Sequence, residues 1–339
     1  MGKEKIGVLL VNLGTPDSPA TKDVRKYLRE FLMDGRVIDI PLIPRFLLVN
    51  GIIAPLRAPK SAKEYIKLWE ERGSPLKFYG MDVQDLLQQS LGNDYKVVLA
   101  MRYQSPSIES GLEALRTENV KRIIVIPMFP QYASASTGSV SEKVNKIVSK
   151  WQIVPSVAHI NQFMDHPKFL EAFTNNGKAL MKKQDYDHVI FSYHGLPERH
   201  IKKGSVGNQC QLGTCCNALH GKNRYCYRAQ CFYTSRQLAE RLGLKEDGYT
   251  TTFQSRLGKD PWIKPYTDEV LKELPKQGIK KALVYSPAFV SDCLETTMEV
   301  GEEFKEEFLE AGGEVWDLVP SLNDSKTWIE CLEDLVKTA

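Results

Sequence analysis

No stretch of this 339-residue chain reaches the roughly 20 consecutive apolar residues that a membrane-crossing helix needs. The apolar run near the N-terminus breaks at Asn12, too early for the core of a secretory leader, and reads as a first strand. No G-x-x-x-x-G-K-S/T and no G-x-G-x-x-G follows an apolar run, so nucleotide binding has no support and Gly14-Thr15-Pro16 is not a phosphate loop. Paired C-x2-C knuckles, the usual mark of structural zinc, are missing. An excess of one charge is missing too: 45 Lys and Arg stand against 42 Asp and Glu, interspersed, and nothing calls for a nucleic-acid partner. The expectation is a cytoplasmic protein, where thiols stay reduced and disulfides are rare.

What is present is alternation. Apolar runs at 6–12, 96–102, 122–129 and 152–159 read as strands, with helix-forming segments near 22–33, 61–70, 78–91, 107–117 and 139–150. The second half repeats the pattern, with strands near 187–193, 249–254, 281–289 and 314–319 and helices near 167–183, 232–242, 265–274, 295–311 and 325–338. Such alternation predicts parallel sheets covered on both faces. At 339 residues the natural division is in two. The expected fold class is α/β: two Rossmann-like, doubly wound domains, 1–162 and 163–324, each with a parallel sheet of about four strands flanked by helices, then a C-terminal helix at 325–339. Loops after Asn12, Arg102, Phe129, Tyr193, Phe253 and Ala288 then fall at the carboxyl ends of strands, where such sheets bind ligands.

Residues 285–307, YSPAFVSDCLETTMEVGEEFKEE, carry the strongest chemical signal. An apolar run ends at Ser291-Asp292, and Glu295, Glu299 and Glu303 follow at i, i+4 and i+8, one ridge on a helix face. The ridge is either a solvated face or a track for cations or protons. The segment FSYHGLPER at 191–199 favours the second reading, because an apolar strand delivers His194 into a Gly-Leu-Pro turn. An imidazole is the side chain best suited to accept a proton near neutral pH. His194 and Glu295, each at a strand end, then face one another across a cleft.

Two other stretches stand out. Residues 40–56, IPLIPRFLLVNGIIAPL, are apolar and interrupted only by Arg45; they form either a buried connection or an exposed lip for a greasy ligand or a membrane surface. The Pro residues speak against one long buried helix. Five of the seven Cys fall within 210–231 as C-x4-CC-x9-C-x4-C: Cys210, Cys215, Cys216, Cys226 and Cys231. In a reduced compartment the cluster reads as metal-binding. Thiolates at irregular spacing in one loop suit an iron–sulfur centre better than zinc. His220 lies inside the insert and reads as solvent-facing, while Cys293 and Cys331 are isolated and read as packing residues.

Taken together, the chain resembles the ferrochelatases nearly end to end. The shared strings are VNLGTPDSP at 11–19, RAPKSAKEY at 57–65, GSPL at 73–76, MRYQSPS at 101–107, FPQYASASTGS at 129–139, SYHGLP at 192–197, FQSRLGKDPWIKPYTDE at 253–269 and SPAFVSDCLET at 286–296. The resemblance implies a twin Rossmann-like chelatase fold whose last helix packs back on the first domain. It implies a lyase that inserts Fe2+ into protoporphyrin IX, forming protohaem and releasing two protons, the last step of haem biosynthesis. It casts His194 and Glu295 as catalytic, and places ferrous iron, as substrate, along His194, Glu295, Glu299 and Glu303. Arg102 and Tyr103 match a pair near the distal metal side. Tyr65, Tyr132 and Trp262 match pocket or rim aromatics, and Arg57 and Lys60 lie where a cation meets a propionate.

The region 40–60 corresponds to the family's lip over the porphyrin, with possible peripheral contact at the inner membrane. Some members carry a 2Fe–2S cluster in an internal insert, and relatives without one lack most of 206–226 but keep a Cys matching Cys231. That comparison implies Cys210, Cys215, Cys216 and Cys226 as ligands, with Cys231 as the alternative because neighbouring Cys215 and Cys216 crowd one small cluster. Many relatives carry His two residues before the matched Glu; here Cys293 stands there, so no essential imidazole can occupy that position. Competing readings are a tetrapyrrole- or haem-binding carrier without catalysis, or a coproporphyrin- or cobalt-using chelatase. The intact His194 and Glu295 speak against the first. The lip and the NLGTP opening speak against the coproporphyrin branch, and the strings at 253–269 and 286–296 against a cobalt enzyme.

Overall fold

A computed structural model describes residues 5–256, 258 and 260–339, with the side chain of Asn208 set aside. Leu257 and Lys259 of the 253–269 string, and the first four residues, lie outside the described residues. The chain forms two compact units. One comprises the chain up to Phe129, Ser134–Asn161 and Ile329–Ala339; the other comprises Pro130–Ala133 and Gln162–Trp328.

The first unit begins with β1 (Ile6–Gly14) and α1 (Thr21–Leu32). A long helical run follows: α2 (Leu42–Leu47), a π-helical segment Leu48–Ile53 and α3 (Ala54–Leu68). Then come α4 (Pro75–Leu91), β2 (Tyr95–Tyr103), α5 (Ile108–Thr117), β3 (Arg122–Pro127), a π turn at Ser134–Gly138, α6 (Ser139–Val148) and β4 (Ser156–His159). The four strands are parallel in the order β2-β1-β3-β4. Val8, Leu9, Leu10 and Val11 have no exposed surface, as a central strand covered on both faces requires.

The second unit contains α7 (Pro167–Met181), β5 (His188–His194), α8 (Glu198–Lys203), α9 (Tyr227–Leu242), β6 (Tyr249–Gln254), α10 (Thr267–Glu273), β7 (Lys281–Tyr285), a π-helix Glu295–Glu303, α11 (Phe304–Glu310) and β8 (Val315–Leu318). Its parallel sheet runs β6-β5-β7-β8, the same order as the first. α12 (Lys326–Thr338) ends the chain. In each sheet the chain builds outward on one side of the central strand and then crosses to the other. The switch point lies at the carboxyl ends of β1 and β5, where doubly wound sheets open a crevice.

Two elements depart from the sequence reading. Residues Leu42–Leu68 form one continuous 27-residue helix, long and apolar enough by length and composition to cross a membrane. Pro does not break it. Pro44 lies in the first turn of α2, where its missing N–H is not needed, the π segment absorbs an extra residue just ahead of Pro55, and Pro59 is carried inside α3 on its exposed face. Only 17% of its most apolar window is buried. One stripe, Val49, Ala54, Ala58, Ala62, Tyr65 and Leu68, faces inward, and the small residues let α3 lie close against α1. The second departure is the acidic helix, which starts as a nine-residue π-helix; the Phe304 N–H reaches back five residues to the Glu299 carbonyl. π-helical turns of this kind recur at functional sites.

Candidate active site

β5 carries His194 to the edge of the second sheet, in register with Gln254 of β6. The next peptide N–H, of Gly195, donates to the Gln254 carbonyl at 2.8 Å. A Cβ at Gly195 would sit 2.8 Å from that oxygen and 3.1 Å from the Trp262 ring, so only glycine fits. The imidazole Nδ1 lies 2.7 Å from the Gly195 carbonyl oxygen. A carbonyl only accepts, so Nδ1 carries the proton and Nε2 keeps its lone pair. Trp262, itself buried, lies 6.4 Å from the His194 ring, centroid to centroid. On the other side of the turn the Tyr227 hydroxyl donates to the His194 carbonyl at 2.8 Å.

The glutamate ridge joins the same corner through Ser255. Ser255 follows Gln254 with a positive φ of 66°, and its hydroxyl donates to Glu299 Oε2 at 2.6 Å. Burial pushes the Glu299 carboxyl up to about 7, and the neighbouring charges of Glu295 and Glu303 push the same way against the Ser255 hydrogen bond. Four residues remain close to one turn even in the wider π-helix, so the three carboxylates stay neighbours. Glu295 and Glu299 are half-buried and Glu303 is exposed, so the line leads from interior to solvent. Cys293 is buried; burial first, and then the Glu295 carboxylate beside it, hold its thiol well above the ordinary value. Close by in sequence, Gln254 Nε2, Ser286 Oγ and Ser291 Oγ are buried atoms with no hydrogen-bond partner among the described residues. Among those residues no three His, Cys, Asp or Glu converge as the ligands of one metal. The glutamates form a line, not a cage.

The remaining pocket candidates divide between the units. In the second, Tyr132 is half-buried, its N–H donates to Gln230 Oε1 at 2.6 Å, and its ring meets Tyr225 edge-on at 5.5 Å. In the first, Arg102 pairs with Asp34 at 2.7 Å and Tyr103, with no exposed surface, donates its hydroxyl to the same carboxylate at 2.9 Å. Burial alone would raise the Asp34 carboxyl, but hydrogen bonds from Ser139, the Arg36 N–H and Tyr103, with the Arg102 charge, hold it below its ordinary value. Burial and that same carboxylate push the Tyr103 hydroxyl upward. Tyr65 is buried edge-on against Tyr27 at 6.4 Å. Arg57 and Lys60 are exposed on α3, next to an apolar face of Leu42, Ile43, Phe46, Leu47, Ile52 and Leu56 that is 54–73% exposed. Arg45, the one charge in that face, folds back to the Ile38 carbonyl at 2.9 Å and leaves the face uncharged.

In the insert, the Cys215 and Cys216 sulfurs lie 3.9 Å apart. Cys210 adjoins Cys215, and Cys216 adjoins Cys226. Cys226 is the residue before α9. The Cys216 thiol and the N–H groups of Ala229 and Arg228 lower its pKa, as a helix N-terminus does. The Cys226 side chain beside it, first, and then burial push the Cys216 thiol the other way, upward. Cys231 is apart, fully buried on α9 against the Tyr227 hydroxyl. His220 is exposed, and Asn223 staples the loop by donating to the Cys215 and Ala218 carbonyls, each at 2.8 Å. Sequence reasoning overlooked Ser255, Gln254, Tyr227 and Asp34. The first two lie inside a shared string; the other two gave no signal.

Twin four-stranded parallel sheets of identical order, with a histidine at the switch point of one, define the chelatase class. The solved structure of SirB from Bacillus subtilis with Fe3+ shares the fold, with a TM-score of 0.56 at 12% identity, covering 98% of this chain and 94% of that one. The ferrochelatase family model matches residues 5–339. The ferrochelatase of Legionella pneumophila (strain Paris) is 47% identical over 330 residues, 97% of this chain and 98% of that protein. The ferrochelatase of Coxiella burnetii (strain Dugway 5J108-111) is 42% identical over 338 residues, 98% of this chain and 93% of that protein. The chain belongs to the ferrochelatase family and is a metal chelatase, a lyase.

Proposed function

We propose that this chelatase inserts ferrous iron into protoporphyrin IX, with His194 as proton acceptor and the glutamate ridge as the path for charge. Metallation requires two pyrrole N–H protons to leave as iron enters. The observation that carries the reading is the His194 turn: Nδ1–H is tied to the Gly195 carbonyl, so Nε2 is the open base. Glu299, titrating at about 7, takes and releases protons near neutral pH, and Glu303 opens the line to solvent. An anaerobic assay of Fe2+ with protoporphyrin, read by loss of porphyrin fluorescence, tests it. Faster turnover of coproporphyrin would overturn the substrate assignment.

The apolar face of Leu42–Ile53 is read as the lip over the macrocycle, with Arg57 and Lys60 meeting propionates and the outer edge resting on the inner membrane of a cytoplasmic enzyme. Its support is exposure: Leu42 and Leu47 are each 63% exposed, and Arg45 is turned away. Each such Leu contributes about 1–2 kcal/mol when covered. Leu42→Ser with Leu47→Ser is therefore expected to weaken porphyrin binding, or partitioning onto anionic vesicles, about tenfold per residue, with little change in Tm. A large fall in Tm with unchanged binding would place these residues in the core instead.

The insert is read as holding a 2Fe–2S cluster through Cys210, Cys215, Cys216 and Cys226. Support comes from the run of neighbouring thiols and from the lowered pKa of Cys226, since the thiolate is the ligand form. When bound, the cluster supplies cross-linking of the loop, and its binding free energy is folding free energy. Protein purified anaerobically from iron-replete cells should be reddish-brown. Cys226→Ser should bleach it and lower Tm by several degrees. Colourless protein with stoichiometric zinc would replace the cluster by a structural zinc loop.

A further inference from the structure

We infer that Tyr227 is a positioning residue for His194, through which the cysteine insert sets the aim of the proton acceptor. The inference rests on the reading of His194 as the base. The His194–Gly195 peptide is held at both faces: its N–H donates to the Gln254 carbonyl at 2.8 Å, and its carbonyl accepts the Tyr227 hydroxyl at 2.8 Å. The next carbonyl, of Gly195, holds the imidazole at 2.7 Å. The direction of Nε2 therefore follows one short length of backbone.

The two anchors differ in kind. Gln254 belongs to β6, the strand hydrogen-bonded along β5 itself. Tyr227 is the first residue of α9, next to Cys226 of the insert. Its ring is buried, and the Cys231 thiol lies beside its hydroxyl. The same segment is fastened twice more: the Arg224 carbonyl accepts from Gln230 Nε2, and the Tyr225 ring packs on Tyr132. A displacement of Cys226 carries the Tyr227 backbone with it, and the rigid ring passes that displacement to the His194 carbonyl.

Tyr227→Phe removes the hydroxyl and keeps the ring. The expected result is a fall in kcat of about tenfold with KM for porphyrin within twofold, because aim is lost while the apolar pocket is kept. The apparent pKa in the pH profile of kcat/KM moves with it. Ser235→Ala is the control. It removes a 3.0 Å hydrogen bond between the same helix and the Tyr193 hydroxyl, one residue before His194, and should leave kcat within twofold. A second readout needs no turnover: the His194 imidazole resonance in isotopically labelled full-length protein. Tyr227→Phe should shift it. Cys226→Ser, or stripping metal with a chelator, should shift it in the parent protein and not in Tyr227→Phe. An unmoved resonance with unchanged kcat in Tyr227→Phe overturns the positioning role, as does an equal loss of kcat in Ser235→Ala. No response to Cys226→Ser in the parent overturns the link to the insert. Retained turnover in His194→Ala would sink the base reading alone, since the resonance still reports on the tether.

Discussion

His194→Ala is expected to lower metallation by about 10²–10⁴-fold while porphyrin binding and fold survive. The magnitude is that of removing a positioned general base. Survival of the fold follows from which atoms hold the turn. Gly195 N–H to the Gln254 carbonyl, and the Tyr227 hydroxyl to the His194 carbonyl, are main-chain contacts that an alanine leaves intact. The imidazole adds only its bond to the Gly195 carbonyl and its approach to Trp262. Binding survives because apolar contact area supplies most of the affinity for a planar hydrophobic ligand. Anaerobic turnover and a porphyrin fluorescence titration on the same preparation separate the two. Near-normal turnover would remove His194 from the chemistry.

Much of this was open to reading in the sequence, for reasons that can be located. β5 and β7 are buried on both faces, so their residues form short apolar runs, and such runs mark their own ends. His194 and the loop before Glu295 could therefore be assigned to carboxyl ends from periodicity alone. Spacing of four also identified the glutamate ridge, because four residues approximate one turn in an α-helix and in a π-helix alike. For the same reason the π-helix at Glu295–Glu303 left no mark: residues four apart stay neighbours in both geometries.

Partners distant in sequence were equally hidden. Ser255 reaches Glu299 across 44 positions, and Tyr227 reaches His194 across 33, each pair joining a helix to a strand end that only folding brings together. At Leu42–Leu68 the prolines spoke against a long buried helix, and the helix that forms there is long but mostly exposed. Pro44 falls in a first turn and Pro55 beside a π segment, and Pro59, although inside α3, lies on its exposed face. Arg102 and Tyr103 read as pocket groups in sequence; their shared partner Asp34 lies 68 positions from Arg102, beyond any local pattern.

Glu299→Gln is expected to cost about 10²-fold in activity, and Glu295→Gln a comparable loss, while Glu303→Gln stays within a few-fold. The ranking follows burial: Glu299 is half-buried and bonded to Ser255, whereas Glu303 is exposed and water can replace it. Stability should report the same group with a definite sign. The Glu299 carboxyl titrates at about 7 in the folded chain against an ordinary value of 4.5. Below 4.5 both folded and unfolded chains hold the proton. Between 4.5 and about 7 only the folded chain holds it, so folding stability falls as pH rises through that window and levels off above it. The gap corresponds to about 3 kcal/mol, the cost of keeping a carboxylate beside two others in a half-buried site. An amide carries no such cost. Glu299→Gln should therefore lose the fall in Tm between pH 5 and 7 and be more stable than the parent at pH 8, while turning over far more slowly. That opposition, a gain in stability with a loss of activity, is what a charge retained for function produces. Equal and small activity losses at Glu295, Glu299 and Glu303, with parallel Tm profiles, would instead make the ridge an ordinary solvated helix face.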